Sequence, residues 1–174
     1  MPWIDGHPLA PADAPHNPVR GVPLADRRDA TEARLDALHE LVDVDRLRPP
    51  WSDLCDVDRH PGPALWLHGD LHPLNVLVDA GVPCGIIDFG DLTAGDPATD
   101  LSIAWIRFGD PARRQLLYDA YGGVDDATDQ RARGWALSLA TAYLANGADH
   151  PTLSAIGRDA LRNVAGDQET AANP

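Results

Sequence analysis

Apolar residues recur at helical spacing over most of this chain, and strand-like runs are confined to its middle. Leu35, Leu38, Leu41 and Val42 share one face of a helix predicted over residues 26 to about 42, with Arg27, Arg28, Glu32 and Asp36 mostly elsewhere. His39, near the apolar edge of that face, is expected at the surface or the margin of the core. Arg48-Pro-Pro-Trp51 is expected to break the pattern. His60-Pro-Gly-Pro63 predicts a turn leading into a strand over 64–67. The runs 76–78 and 85–87 flank Asp79-Ala80-Gly81, which predicts a hairpin.

Beyond residue 90 no strand is expected. Asp96 as cap and Pro97 at the first turn open a helix whose buried stripe is Leu101, Ala104, Trp105 and Phe108. Asp110-Pro111 opens another through Tyr121, closed by Gly122-Gly123. A long helix over about 127–145 carries Trp135, Leu139, Ala142 and Tyr143, read as core. The last, over 151–164, stops at Gly166. The fold class is therefore α+β and mostly helical. Six prolines in residues 1–24 predict an irregular link, and the small polar residues 167–174 a frayed tail. That leaves 25–166 as the folded body.

The middle stretch also carries the chemistry. His68-Gly-Asp70-Leu-His72-Pro-Leu-Asn75 is followed, across the hairpin, by Ile87-Asp88-Phe89-Gly90. Phosphoryl transfer to a hydroxyl needs a carboxylate that accepts the hydroxyl proton and oxygen ligands that hold magnesium on the nucleotide phosphates. Asp70 suits the first role, and Asn75 with Asp88 the second, because the hairpin returns Asp88 to the side of Asn75. Asp91 is close in sequence to Asp88, but a surface role is expected for it.

These motifs resemble the catalytic loop and metal loop of the aminoglycoside phosphotransferase and choline kinase-like family, small-molecule relatives of protein kinases. The Gly95-Asp96-Pro97-x-x-Asp100-Leu stretch that follows agrees with the same family. The resemblance covers roughly residues 20 to 165 and implies a protein kinase-like C-terminal lobe acting with ATP and Mg2+ on a hydroxylated small molecule. It further implies that His72 contacts the phosphate or substrate, and that His68 and Asp100 support the catalytic loop from beneath. His72 stands where protein kinases usually carry Lys, and the short run from Asp88 to Asp96 leaves no room for an activation segment. Both features favour the small-molecule branch.

Composition complicates this expectation. All 14 basic residues are Arg, and no Lys is available to pair nucleotide phosphates. No glycine-rich loop follows a strand ahead of Asp70. The sequence thus resembles the second lobe alone, with the N-terminal lobe missing; Trp3-Ile-Asp-Gly6 resembles the stretch just after the interlobe hinge. A partner chain or self-association is one route to completing it. A net charge of −13 makes nucleic acid and anionic membranes poor partners and suits a cationic acceptor such as an aminoglycoside or amino alcohol, or simply serves solubility. Cys55 and Cys84 form neither a disulfide framework nor a metal pattern, and no apolar run has membrane-spanning length, which points to the cytoplasm.

Two rival readings stand beside the kinase. His68-x-Asp70-x-His72 on an extended segment is also a metal-ligand spacing for a hydrolase, given further ligands from later strands. A non-catalytic, kinase-like binding or regulatory module would account for the missing nucleotide-anchoring half.

Overall fold

The computed structural model describes residues 3–4 and 7–166. The expected frayed tail, and Asp5-Gly6 of the hinge-like stretch, lie outside the described residues. The chain opens with two short antiparallel strands, β1 (Trp3–Ile4) and β2 (His7–Pro8). A 3-10 turn at Leu24–Arg27 then leads into α1 (Arg28–Ala37) and α2 (Val44–Cys55). Next come β3 (Leu65–Leu67), β4 (Val76–Asp79), β5 (Val82–Ile86) and β6 (Thr93–Gly95). The remainder is helical: α3 (Ala98–Leu101), α4 (Ile103–Arg107), α5 (Pro111–Tyr121), α6 (Asp126–Ala145) and α7 (Pro151–Ala165).

The core is built around α6. Its Ala132, Trp135, Ala136, Leu137, Leu139 and Ala140 are buried in several directions, as expected of a helix apolar on most of its surface. Helices α1, α2, α3, α4 and α7 pack around it. Small residues set how closely they approach: a methyl group added at Gly134 would come within 2.2 Å of Leu24 Cδ2. At the start of α6 Asp129 Oδ1 accepts from Trp105 Nε1 and from Tyr118 Oη, both at 2.7 Å, tying α4 and α5 to the body.

Several expectations need correction. The first helix ends at Ala37, so Leu38 is buried in the turn beyond it while Leu41 is 58% exposed. The Pro49-Pro50 pair does not stop α2, which runs through it. Each proline removes one helical N–H, but Leu47, Trp51, Leu54 and Cys55 bury one face of the helix, and that burial outweighs the local cost. A strand does follow residue 90: β6 pairs antiparallel with β3, Leu65 opposite Gly95 and Leu67 opposite Thr93. Three residues with Gly at the end carry too weak a pattern to be read beforehand. The helix after Asp96 is two segments meeting at Ser102, whose hydroxyl donates to Thr99 O at 2.6 Å, and Phe108 lies just past the second.

The largest difference concerns residues 1–24. Beyond the β1–β2 pair, Ala10 N donates to Ala64 O at 3.1 Å beside a bridge between Leu9 and Leu65. Residues 15–21 lie along β6 and the start of α3. Thr93 Oγ1 donates to Pro15 O at 3.1 Å, Gly21 N donates to Thr99 Oγ1 at 3.2 Å, and Asp96 N donates to Gly21 O at 3.0 Å. A side chain at Gly95 would meet Gly21 O at 2.1 Å, so this contact of backbone on backbone needs glycine. The proline-rich segment is a strap docked by side-chain and backbone bonds outside any regular ladder.

Candidate functional site

The site grows from the turn between β3 and β4. The chain leaves β3 at His68, crosses Gly69 with φ +85°, and presents Asp70. Left-handed backbone here favours glycine, and a methyl group at position 69 would sit 2.2 Å from Asp91 O. Asp100, in α3, holds this corner from below: its Oδ2 accepts from His68 N at 2.7 Å and its Oδ1 from Gly69 N at 2.9 Å. Burial pushes the Asp100 carboxyl pKa above its ordinary value, outweighing the two backbone bonds that pull it down.

His68 ties the two halves of the motif together. Its Nδ1 accepts from Asp70 N at 3.3 Å, so the proton lies on Nε2, which donates to Ile87 O at 2.8 Å. Both ring nitrogens are therefore engaged with backbone. That removes the hydrolase alternative built on His68, Asp70 and His72, and among the described residues no three His, Cys, Asp or Glu side chains converge as a metal site.

His72 is buried, neither solvent-facing nor loose. It caps the 3-10 turn Pro73–Asn75, its Nδ1 accepting from Leu74 N at 3.2 Å. Its Nε2 faces Asp70 Oδ2 at 3.5 Å. Asn75 is also buried, and its Nδ2 donates to Asp70 O at 3.0 Å, while its Oδ1 accepts no hydrogen bond among the described residues.

The hairpin returns as expected, Val76 opposite Ile86 and Leu77 opposite Gly85, around a turn with positive φ at Ala80 and Gly81. Ile87 N then donates to Asn75 O at 3.0 Å, which brings Asp88 next to Asn75 along the chain path. Asp88 adopts left-handed φ and ψ of 63° each, and its carboxylate has no hydrogen-bond or ion-pair partner among the described residues. An amide oxygen and a carboxylate, both unengaged and on adjacent backbone, form a donor set that fits magnesium, an ion that retains waters and phosphate oxygens as its other ligands.

Three participants escaped the sequence. Arg20, on the strap, brings its guanidinium to 3.4 Å from Asp70 Oδ1 and 3.8 Å from Asp91 Oδ2. Asn17 Nδ2 donates to Asp91 Oδ1 at 2.8 Å, so Asp91 anchors the strap. Tyr143, read as core, lies with its Oη 3.5 Å from Asp70 Oδ1 and its ring edge-on to His72 at 5.5 Å between centroids. Burial, followed by the nearby Asp70 charge, pushes the Tyr143 phenol pKa up, so it stays protonated and donates. Burial also acts to raise the pKa of Asp70, but His72 and Arg20 together outweigh it and hold that carboxyl below its ordinary value. Fifty residues separate Arg20 from Asp70 and seventy-three separate Tyr143 from it, so no local spacing signals either contact.

A mostly helical lobe with a catalytic-loop hairpin and this set of carboxylates defines a partial protein kinase-like domain. The family model described as the phosphotransferase enzyme family (APH) matches residues 1–135, and the chain belongs to that family. An aminoglycoside 3'-phosphotransferase of Streptomyces fradiae is 37% identical over 100 residues, covering 50% of this chain and 37% of that protein. The protein YcbJ of Bacillus subtilis (strain 168) is 32% identical over 101 residues, 56% of this chain and 33% of its own length. Among solved structures, a macrolide 2'-phosphotransferase type I superposes with a TM-score of 0.51 at 25% identity, over 79% of this chain and 48% of that one. The chain thus spans between a third and a half of the length of these relatives.

Proposed function

We propose that this chain carries the acceptor-side half of an ATP- and Mg2+-dependent phosphotransferase acting on a hydroxyl of a small molecule. Asp70 accepts the proton of the attacking hydroxyl. Its charge is retained at neutral pH and its carboxylate is oriented by His72, Arg20 and Tyr143. Asn75 Oδ1 and Asp88 would hold magnesium, which when bound neutralises phosphate charge. His72 Nε2, beside Asp70, is positioned to donate to the phosphate or substrate. His68 and Asp100 keep the loop in register. The observation that carries this reading is the Ile87 N to Asn75 O bond at 3.0 Å, which joins the base-bearing loop to the loop of Asp88.

The named relatives, an aminoglycoside 3'-phosphotransferase and a macrolide 2'-phosphotransferase, make a hydroxylated antibiotic, or an amino alcohol of similar charge, the acceptor class to test first. The net charge of −13 favours a cationic one. An exposed free thiol at Cys84, and the lack of any described helix long and apolar enough to cross a membrane, suit a cytoplasmic site of action.

Asp70→Asn is expected to lower turnover by about a hundred- to ten-thousandfold with an unchanged far-ultraviolet circular dichroism spectrum. Turnover at the wild-type rate would exclude Asp70 as the base. Asp88→Ala should weaken magnesium-nucleotide binding in a metal titration.

A second reading, a non-catalytic binding or regulatory module, has one specific motive. Leu77, Val82, Ile87 and Phe89 leave the outer face of the hairpin apolar and exposed, and no Lys is present to pair nucleotide phosphates. Calorimetry with magnesium-ATP separates the two. Heat of binding at millimolar nucleotide supports the enzyme, and its absence excludes catalysis by this chain alone and favours the binding module.

A further inference from the structure

On the reverse side of the catalytic loop lies a cavity of about 640 Å3, within the size range of small-molecule sites. Its walls come from three layers: Leu71 and Pro73 of the loop, Val76 and Ile86 of the hairpin, and Phe108 and Leu117 of the helical side. Asp70 does not line it, so it is separate from the acceptor side of the site. Two charged residues face it. Asp100 sits at the loop, with both oxygens engaged by the His68 and Gly69 amides. Arg107, at the end of α4, is exposed, lies 5.7 Å from the Phe108 ring and has no carboxylate partner among the described residues.

We propose that this cavity is a binding site for a small amphipathic anion: an apolar body enclosed against the hairpin and loop, with its negative charge outward on Arg107. The polarity follows from the charges. The Asp100 carboxylate repels an anion from the inner end, where the unpartnered Trp66 Nε1 is a neutral donor only, whereas Arg107 at the rim offers both charge and N–H groups. A neutral apolar molecule would leave Arg107 unused, and a cation would meet it unfavourably. Because Leu71 and Pro73 flank Asp70 and His72 in the chain, an occupant touches the segment that carries the base. The site does not depend on phosphoryl transfer and is tested without it.

The test uses two fluorescent probes with the same apolar body, 8-anilinonaphthalene-1-sulfonate and the neutral N-phenyl-1-naphthylamine, titrated into the full chain. Both should bind saturably at one site, the sulfonate more tightly. Arg107→Glu should weaken the sulfonate on the order of tenfold and leave the neutral probe within about twofold, as expected for one exposed ionic contact reversed in sign. Ala120→Trp, on the exposed surface of α5 at the cavity edge, should abolish both. Val82→Ser, on the exposed tip of the hairpin and outside the cavity, should change neither. Equal loss of both probes in Arg107→Glu, undiminished binding in Ala120→Trp, or loss of binding in Val82→Ser would overturn the proposal. Circular dichroism of each variant separates loss of the site from loss of the fold.

Discussion

The inner and outer faces of the catalytic loop and hairpin are built on opposite principles. Underneath, polar groups are buried and paired: Asp100 with two loop amides, His68 with Ile87 O, and Asp96 with Arg131 at 2.7 Å where both are nearly inaccessible. Outside, Leu77, Val82, Ile87 and Phe89 are apolar and face solvent. Hydrophobic burial holds the helical body together, but directional bonds from that body fix the shape of the loop. A hydrogen bond has a required angle and distance whereas apolar contact does not, so a loop that must aim a carboxylate benefits from the former.

Substitutions should divide along this line. The largest effect is expected for Arg131→Met, which leaves the Asp96 carboxylate buried with no cation. Breaking such a pair costs about 3–5 kcal/mol, readable as a lower denaturant midpoint. Gly69→Ala forces a side chain into left-handed backbone and against Asp91 O, and should cost roughly 2–4 kcal/mol by the same measurement. Asp100→Asn turns an amide N–H2 toward one of the two loop N–H groups, for a loss of about 1–3 kcal/mol at neutral pH. Val82→Thr on the outer face should fall within about 0.5 kcal/mol of wild type. A large loss there would mean that the outer face also holds the hairpin.

Asp70 on the loop and Asp100 beneath it sharpen the contrast through pH. The folded state raises the pKa of Asp100, so its contribution is full below the unfolded Asp value and is lost as pH rises through the higher folded one. Asp70 is lowered, so its contribution is present above the unfolded value and is lost as pH falls through the folded one. Carboxyl-detected nuclear magnetic resonance should find Asp100 titrating above the ordinary Asp range and Asp70 below it. The same order for both would contradict the opposed environments described here.

Much of the body was legible in advance. Asp110-Pro111 and Gly122 bracket α5 as their cap chemistry requires, and the spacing around Trp135 marks α6 as core. The hairpin was legible because Asp79-Ala80-Gly81 suits a tight turn between two short apolar runs. Asp100 could be expected under the loop from the resemblance alone. Pro49-Pro50 misled, because local propensity carries no knowledge of the burial of Trp51 that overrides it. The strand at Thr93–Gly95 was invisible, since it exists only by pairing with β3.

The sequence by itself determined the helical architecture, the hairpin and the order of Asp70, Asn75 and Asp88, because these depend on neighbours a few residues apart. Only the tertiary structure decided that a proline-rich strap lies along β6 and brings Arg20 to Asp70, and that a core tyrosine turns its hydroxyl to the same carboxylate. Those contacts join positions 50 and 73 residues apart, where specificity comes from the packing of backbone on backbone at Gly21 and Gly95 and not from any repeat in the chain.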